Sequence, residues 1–585
     1  MESTGRQGFR RLLPYLRRHR RRLWIGLSLV PVFTIIQLAI PLVVREALGR
    51  LESLSRGGGG EAAIDGDWWR RTCLLLAGLW FAYGAVRLLA RYLVIGLSRI
   101  VEEELRRDLF RHLAHLPAAF FDKARIGDLI ARATQDVELL RFLAGPTLFF
   151  GLSTAILLPM TLAVLLHLSV LLGIVVVVLY SSIMLAMMRI FPRLGEQSRA
   201  VQDAQGEIAA KAQEDFTGIR VLHAFGKEAA ETEAFSAVAR TGLEAQVDMA
   251  ETRGRLHALF VASSGAGLLS LMAVGVWTGM PANDVFAAML YVLQLSWPLM
   301  IIGWILQTWH RARAAADRLD EVFEVEPEDP ARGAVRLAAP HGPALEARRL
   351  TFRYPGSTRP ALADVSFRLP ENGTLGLVGP IGSGKTTLVS LLTRLYDPPA
   401  GSLFISGIDV LELPLSNLRA QIAVAPQEPF LFSDTLKNNI LFGTGEATGS
   451  LDSVLERARL SGDLETFPEG LEQIIGERGV TLSGGQKQRT SLARALAPDR
   501  PILVLDDTLS AVDHATERHI LGELHKEEGR RTRILIAHRL EAVRKADLIL
   551  VLDQGRVVEQ GRHEELLRRG GWYASTWRRQ QEEGA

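Results

Sequence analysis

From Phe142 to Met188 the chain carries no Asp, Glu, Lys or Arg. A straight helix of that length would run about 70 Å at 1.5 Å per residue. That is more than twice a hydrocarbon core of roughly 30 Å. The block must therefore fold back on itself near His167, and it counts as two membrane spans. Leu23–Val44, Cys73–Ser98, Leu256–Thr278 and Val285–Trp309 are further apolar stretches, giving six spans in all. Six spans return the chain to the side on which it began. Arg17, Arg18, Arg20, Arg21 and Arg22 precede the first span and mark that side as cytoplasmic. No small-residue cleavage site follows the first apolar run, so it reads as a retained span and not a secretory signal.

Arg99–Glu138 and Arg193–Arg253 separate spans two and three and spans four and five. They are charged and helical in period, and longer than a membrane turn needs. They should project as helices into the cytoplasm. The outer loops are short except for the one with Gly57–Gly60, which reads as a flexible tip. Arg87 and Arg91 lie four apart on one face of span two. Either they snorkel to the inner headgroups, or they touch a substrate, since intramembrane arginine is a functional candidate by default. Phe260, Met289, Tyr291 and Trp304 are generic span residues whose role is packing or lining of a substrate cavity.

With 585 residues more than one domain is expected. The net charge of +2 gives no sign of nucleic-acid binding, and the lone Cys73 excludes an intrachain disulfide. The reading is a membrane domain over 1–318, a linker over 319–343 and a soluble α/β domain over 344–585. Thr374–Val378 reads as a strand. G-P-I-G-S-G-K-T-T follows at once and matches G-x-x-x-x-G-K-[ST] on a strand-to-helix turn. Gly379, Gly382, Ser383 and Gly384 would let backbone N–H groups close around phosphate oxygens. Lys385 would reach the β- and γ-phosphates, and Thr386 would hold Mg²⁺ beside Thr387. Ile502–Leu505 is an apolar strand ending in two carboxylates, Asp506 and Asp507. Asp506 at that place completes a Mg²⁺ site or caps the next helix.

L-S-G-G-Q-K-Q-R at Leu482–Arg489 resembles the signature of ABC transporter ATPases, and G-E-R-G at Gly476–Gly479 resembles a loop of ABC exporters. The resemblance assigns Tyr354 to adenine stacking, Gln427 to the Q-loop, where it serves both metal and catalysis, Ser510–Asp513 to the D-loop and His538 to the switch. His115–Asp122 and Glu214–Phe225 resemble the coupling regions of six-span exporters. It therefore implies an ATP- and Mg²⁺-dependent half-transporter: a six-span helical domain fused to a P-loop ATPase domain. Such a half would lie in the cytoplasmic membrane with its ATPase domain in the cytoplasm. Ser483, Gly484, Gly485 and Gln486 would grip ATP held on the P-loop of a second exporter half.

The family usually places a glutamate after the Mg²⁺ aspartate, and here it is Asp507. Its carboxylate is withdrawn by about one C–C bond, ~1.5 Å, and a misplacement of about 1 Å can cost on the order of 10²-fold in rate. The combination resembles one half of a heterodimeric exporter. Asp507 and His538 would lie in a degenerate site, the signature would serve a competent one, and the partner would carry the glutamate. The alternative is a homodimeric exporter or flippase with two slow sites. An ATP-gated channel or regulatory subunit and an importer ATPase are rivals. The first usually has an added regulatory domain, and the second commonly keeps its parts on separate chains. The implied cargo is amphipathic drugs, lipids or peptides. The absence of a peptidase domain before span one counts against a peptide-processing exporter.

Overall fold

The computed structural model describes residues 7–56, 66–331, 333, 335–336, 343–444, 450–476, 479, 482–509, 512–526 and 529–583. Gly57–Gly60, Glu477 and Arg478 of the G-E-R-G loop, Ser510 and Ala511 of the D-loop, and part of the linker lie outside the described residues. Two compact units are present. One comprises the chain up to Ala114 with Ile126–Val325, and the other His115–Arg125 with the chain from Glu326 onward.

Among the described residues the first unit holds six helices long and apolar enough to cross a membrane: Arg20–Ser53, Gly66–Leu113, Ile126–Leu168, Val170–Thr217, Glu228–Thr278 and Ala282–Phe323. All extend beyond their apolar stretches. An α-helix satisfies its backbone internally, so passing from lipid into water requires no break. The charged segments between spans two and three and between four and five are accordingly continuous with the spans. Helix gives way at Ser169, two residues past His167. There the backbone turns extended at φ −159°, and the hydroxyl accepts from Leu172 N at 3.3 Å to cap the fourth span.

The third span contains two π-helical segments, Arg132–Asp136 and Leu143–Thr147, the second with Pro146 inside it. Beyond the apolar stretches, charges pair between helices. Arg318 Nε donates to Asp136 at 2.9 Å. Arg141, 4% exposed, lies 3.3 Å from Glu102 on the second helix and 3.0 Å from Glu138 on its own. Within the apolar part, Tyr291 is fully buried and donates to Leu38 O at 2.6 Å, so it packs and does not line a cavity. Tyr180 donates to Val292 O at 3.1 Å. Trp304 stands edge-on to Phe142 and Phe150, with ring centroids 6.2 Å away in each case.

Two expectations about boundaries change. The sixth helix runs to Phe323, beyond residue 318. His115–Arg125, expected within the membrane domain, groups with the second unit, where Glu328 N donates to His115 O at 2.7 Å.

Among the described residues the second unit has two sheets. β1 (Leu345–Phe352), β2 (Leu362–Leu369), β4 (Leu403–Ile405) and β5 (Ile408–Asp409) form an antiparallel sheet in the order β2-β1-β4-β5. The larger sheet contains β3 (Thr374–Val378), β6 (Ile422–Ala425), β7 (Ile502–Asp506), β8 (Thr532–Ile536), β9 (Leu548–Asp553) and β10 (Arg556–Gly561), in the order β10-β9-β3-β8-β7-β6. All its neighbours are parallel except β9 and β10. A parallel sheet is covered on both faces and its strands read as unbroken apolar runs. In β7, Ile502 and Val504 face one core with Leu377 and Leu388, while Leu503 and Leu505 face another with Leu492 and Ile520.

Candidate nucleotide site

The sheet order gathers the motifs. β3, β8, β7 and β6 are adjacent and parallel, so the P-loop, His538, Asp506–Asp507 and Gln427 all follow the carboxyl ends of neighbouring strands. In open α/β sheets this edge is where ligands bind. A sequence places each motif after a strand, and only the strand order makes them one site.

The P-loop joins β3 to the helix Lys385–Leu392. Gly379 and Gly384 are required there. Each has positive φ, and an added Cβ would lie 2.0 Å from Leu552 O at Gly379 and 2.6 Å from Ala361 O at Gly384. Gly382 also has positive φ but faces open space. Lys385 is 7% exposed, and its Nζ donates to Gly379 O at 2.9 Å, Pro380 O at 2.7 Å and Ser383 Oγ at 3.2 Å. Burial pushes its ammonium below the usual lysine range, and Asp506 and Asp507 pull it back up. Tyr354 donates to Thr387 Oγ1 at 3.2 Å and stands edge-on to Phe352 and Tyr396, which fixes its ring beside the P-loop helix.

Asp506 is 4% exposed. Burial raises its pKa, the Thr386 hydroxyl bond lowers it, and the neighbouring Asp507 raises it again. A carboxylate bonded to a threonine hydroxyl is the donor pair that Mg²⁺ takes alongside phosphate and water oxygens. No group of three or more His, Cys, Asp and Glu suited to a metal occurs among the described residues. Asp506 with the Thr386 hydroxyl fits such a cation.

Asp507 is 8% exposed, in the left-handed region at φ 46°, with its N–H bonded to Ile536 O at 2.9 Å. Its Oδ2 lies 3.8 Å from His538 Nε2. Beside them is a cavity of about 80 Å³, lined also by Glu517, which is ion-paired to Arg539 at 2.7 Å. Gln427 is exposed, two residues past β6. Asp513 caps the helix His514–Lys526 by accepting from Ala515 N and Thr516 N, each at 3.0 Å, and the Thr516 side chain first, then these backbone bonds, hold its pKa down at about 2.

Ser483 starts the helix Gly484–Leu496 in a capping box: Gln486 N donates to its hydroxyl at 3.3 Å, and Ser483 N donates to Gln486 Oε1 at 2.9 Å. Ser483 and Gly484 are exposed, and Gly485 is half-buried. Asp463 anchors this helix by accepting two bonds from Arg489, each at 2.9 Å. Sequence reasoning did not find Gln580. It lies on the C-terminal helix Trp572–Glu583, donates to His538 O at 2.8 Å and accepts from Leu540 N at 2.9 Å, so it brackets the switch loop. Nothing in the local sequence signals a bond over that separation.

Residues 362–510 match the ABC transporter family, and 24–299 match the ABC transporter transmembrane region. The multidrug resistance-like ATP-binding protein MdlA of Escherichia coli (strain K12) is 33% identical over 588 residues, covering 99% of this chain and 97% of that protein. An ATP-dependent lipid A-core flippase of Photobacterium profundum is 31% identical over 586 residues, covering 99% and 98%. A solved structure of a bacterial Atm1-family ABC exporter with ATP bound superposes with a TM-score of 0.75 at 26% identity, covering 96% of this chain and 98% of that one. With these likenesses along its whole length, the chain belongs to the ABC transporter family, as an exporter half-transporter that fuses a six-helix membrane domain to an ATPase coupled to transport.

Proposed function

We propose that this chain is the degenerate-site half of a heterodimeric exporter of amphipathic compounds in a cytoplasmic membrane. The observation that carries this is the setting of Asp507. Its N–H is tied to β8, its φ is in the left-handed region and it is almost fully buried. The backbone cannot advance to replace the missing methylene. A carboxylate about one C–C bond too short then polarises a water poorly, at a cost on the order of 10²-fold.

Binding is a separate matter. Tyr354 stacks on adenine, the loop from Gly379 to Gly384 with Thr387 cradles phosphate, and Lys385 exchanges its carbonyl partners for phosphate oxygens. Mg²⁺, when bound, neutralises phosphate charge, and Asp506, Thr386 and Gln427 would hold it. His538 orients the terminal phosphate from the end of β8. Ser483 and Gly484, exposed, with the half-buried Gly485 and Gln486, form a helix N-terminus that grips ATP on the P-loop of the second half, where a glutamate completes the chemistry. The differential affinity of ATP for the closed pair shifts the membrane domains from inward- to outward-facing. The exposed Val221 and Phe225 of the helix Ile219–Phe225 offer an apolar surface for coupling. MdlA by its name concerns drugs and the flippases lipid A-core, which supports an amphipathic cargo.

The test is ATPase activity of the purified chain alone, with its partner, and as Asp507→Glu. Slow turnover alone, brisk turnover with the partner and a gain in the variant are expected. Brisk turnover alone, unchanged by the substitution, would sink the reading.

A further inference from the structure

We infer that Arg87 is the anion receptor of a cavity inside the membrane domain, which admits an amphiphile with a negatively charged headgroup. The inference rests on the exporter reading and names the cargo class. The cavity is about 350 Å³, and its lining includes Gln37, Tyr83, Arg87, Phe149, Gln294 and Trp297, from the first, second, third and sixth spans.

Three observations point to an anion. First, Leu23–Val44, Cys73–Ser98, Phe142–Met188 and Val285–Trp309 contain no Asp or Glu, so the apolar stretches around the cavity offer Arg87 no carboxylate. No ion pair involving Arg87 occurs among the described residues. Second, its guanidinium points back along the helix toward Tyr83, the end that the basic residues before the first span assign to the outer side. It donates to Tyr83 Oη and lies 5.5 Å over the Tyr83 ring, one turn nearer the outer end of the helix. A snorkelling arginine at this depth would extend the other way. Third, Gln294 Oε1 is buried with no hydrogen-bond partner, which leaves an acceptor for a hydroxyl or N–H beside the anionic group. Phe149 and Trp297 supply the aromatic wall for an apolar body. Arg91 does not line the cavity.

The full-length chain in nanodiscs of phosphatidylcholine, without nucleotide, is titrated with 11-(dansylamino)undecanoic acid and with its methyl ester, followed by energy transfer from tryptophan. The acid should bind about tenfold more tightly than the ester, the worth of one charge-assisted hydrogen bond. Arg87→Gln should bring the two together while leaving the ester's affinity unchanged. Arg87→Lys should keep a preference for the acid, and Arg91→Gln should keep all of it. Competition by added phosphatidylglycerol would identify a bilayer lipid as the source of the anion, and lack of competition a free amphiphile. Either result supports the receptor. Equal affinities in the unaltered chain, or a preference that survives Arg87→Gln, would overturn it. Neither outcome depends on ATP hydrolysis, so failure here leaves the degenerate-site reading standing and failure there leaves this one.

Discussion

On the proposed reading the end of β7 and the start of the helix Gly484–Leu496 both serve the nucleotide, but they are built in opposite ways. Asp506 and Asp507 are buried at the edge of a sheet covered on both faces, with the Asp507 backbone bonded to the next strand. Ser483 and Gly484 are exposed, and the serine hydroxyl is occupied only by its own cap. A rigid, buried site does not forgive a short side chain, whereas an exposed helix end acquires its ligand from outside the chain. On the proposed reading the first region has lost speed and the second has kept its pattern.

Gly484→Asp attacks the second region. Its Cβ position meets nothing within 4 Å, so the fold should tolerate the change. A carboxylate at a phosphate grip should lower ATPase of the complete pair by about 10²–10³-fold, the scale for losing donors aimed at transition-state charge. Loss confined to the chain alone would break the comparison. Asp507→Glu addresses the first region and should raise hydrolysis at this chain's own P-loop by about 10²-fold. The adjacent cavity of about 80 Å³ leaves room for the methylene.

Asp506→Asn separates stability from function. The pKa of Asp506 is raised by burial. Its charged form is therefore unfavourable in the fold, a penalty present above the raised pKa and relieved as pH falls below the ordinary carboxylate range. The amide should stabilise the nucleotide-free protein by roughly 1–2 kcal/mol at pH 7, with the gain shrinking toward acid pH in thermal melts, while Mg-ATP affinity collapses. Gln580→Ala should have the smallest effect, about 1 kcal/mol for its two bonds to the switch loop. A matching loss of turnover in the partnered protein with little change in ATP affinity would show that the loop it brackets positions His538.

Much of this was legible in the sequence because it is local. Uncharged runs fix the spans, and the reversal falls at Ser169 where length alone required one near His167. The nucleotide motifs each sit at a strand end or helix start that their own residues create. What was not legible depends on distant partners. The membrane surface is no helix terminus, so nothing in the sequence stops the fourth span short of Thr217. The placement of His115–Arg125 follows from a contact to Glu328. Gln580 reaches His538 across the fold. The direction of Arg87 depends on Tyr83 one turn away, which composition could not choose over snorkelling.

On the proposed reading the pair holds two ATP molecules and hydrolyses one of them quickly. Quenched-flow single turnover on the complex of this chain with its partner, preloaded at both sites, measures this directly. One of the two bound ATPs should be cleaved in a fast phase while the other persists, and Asp507→Glu should move the second into the fast phase. Cleavage of both at one rate in the unaltered complex would contradict it.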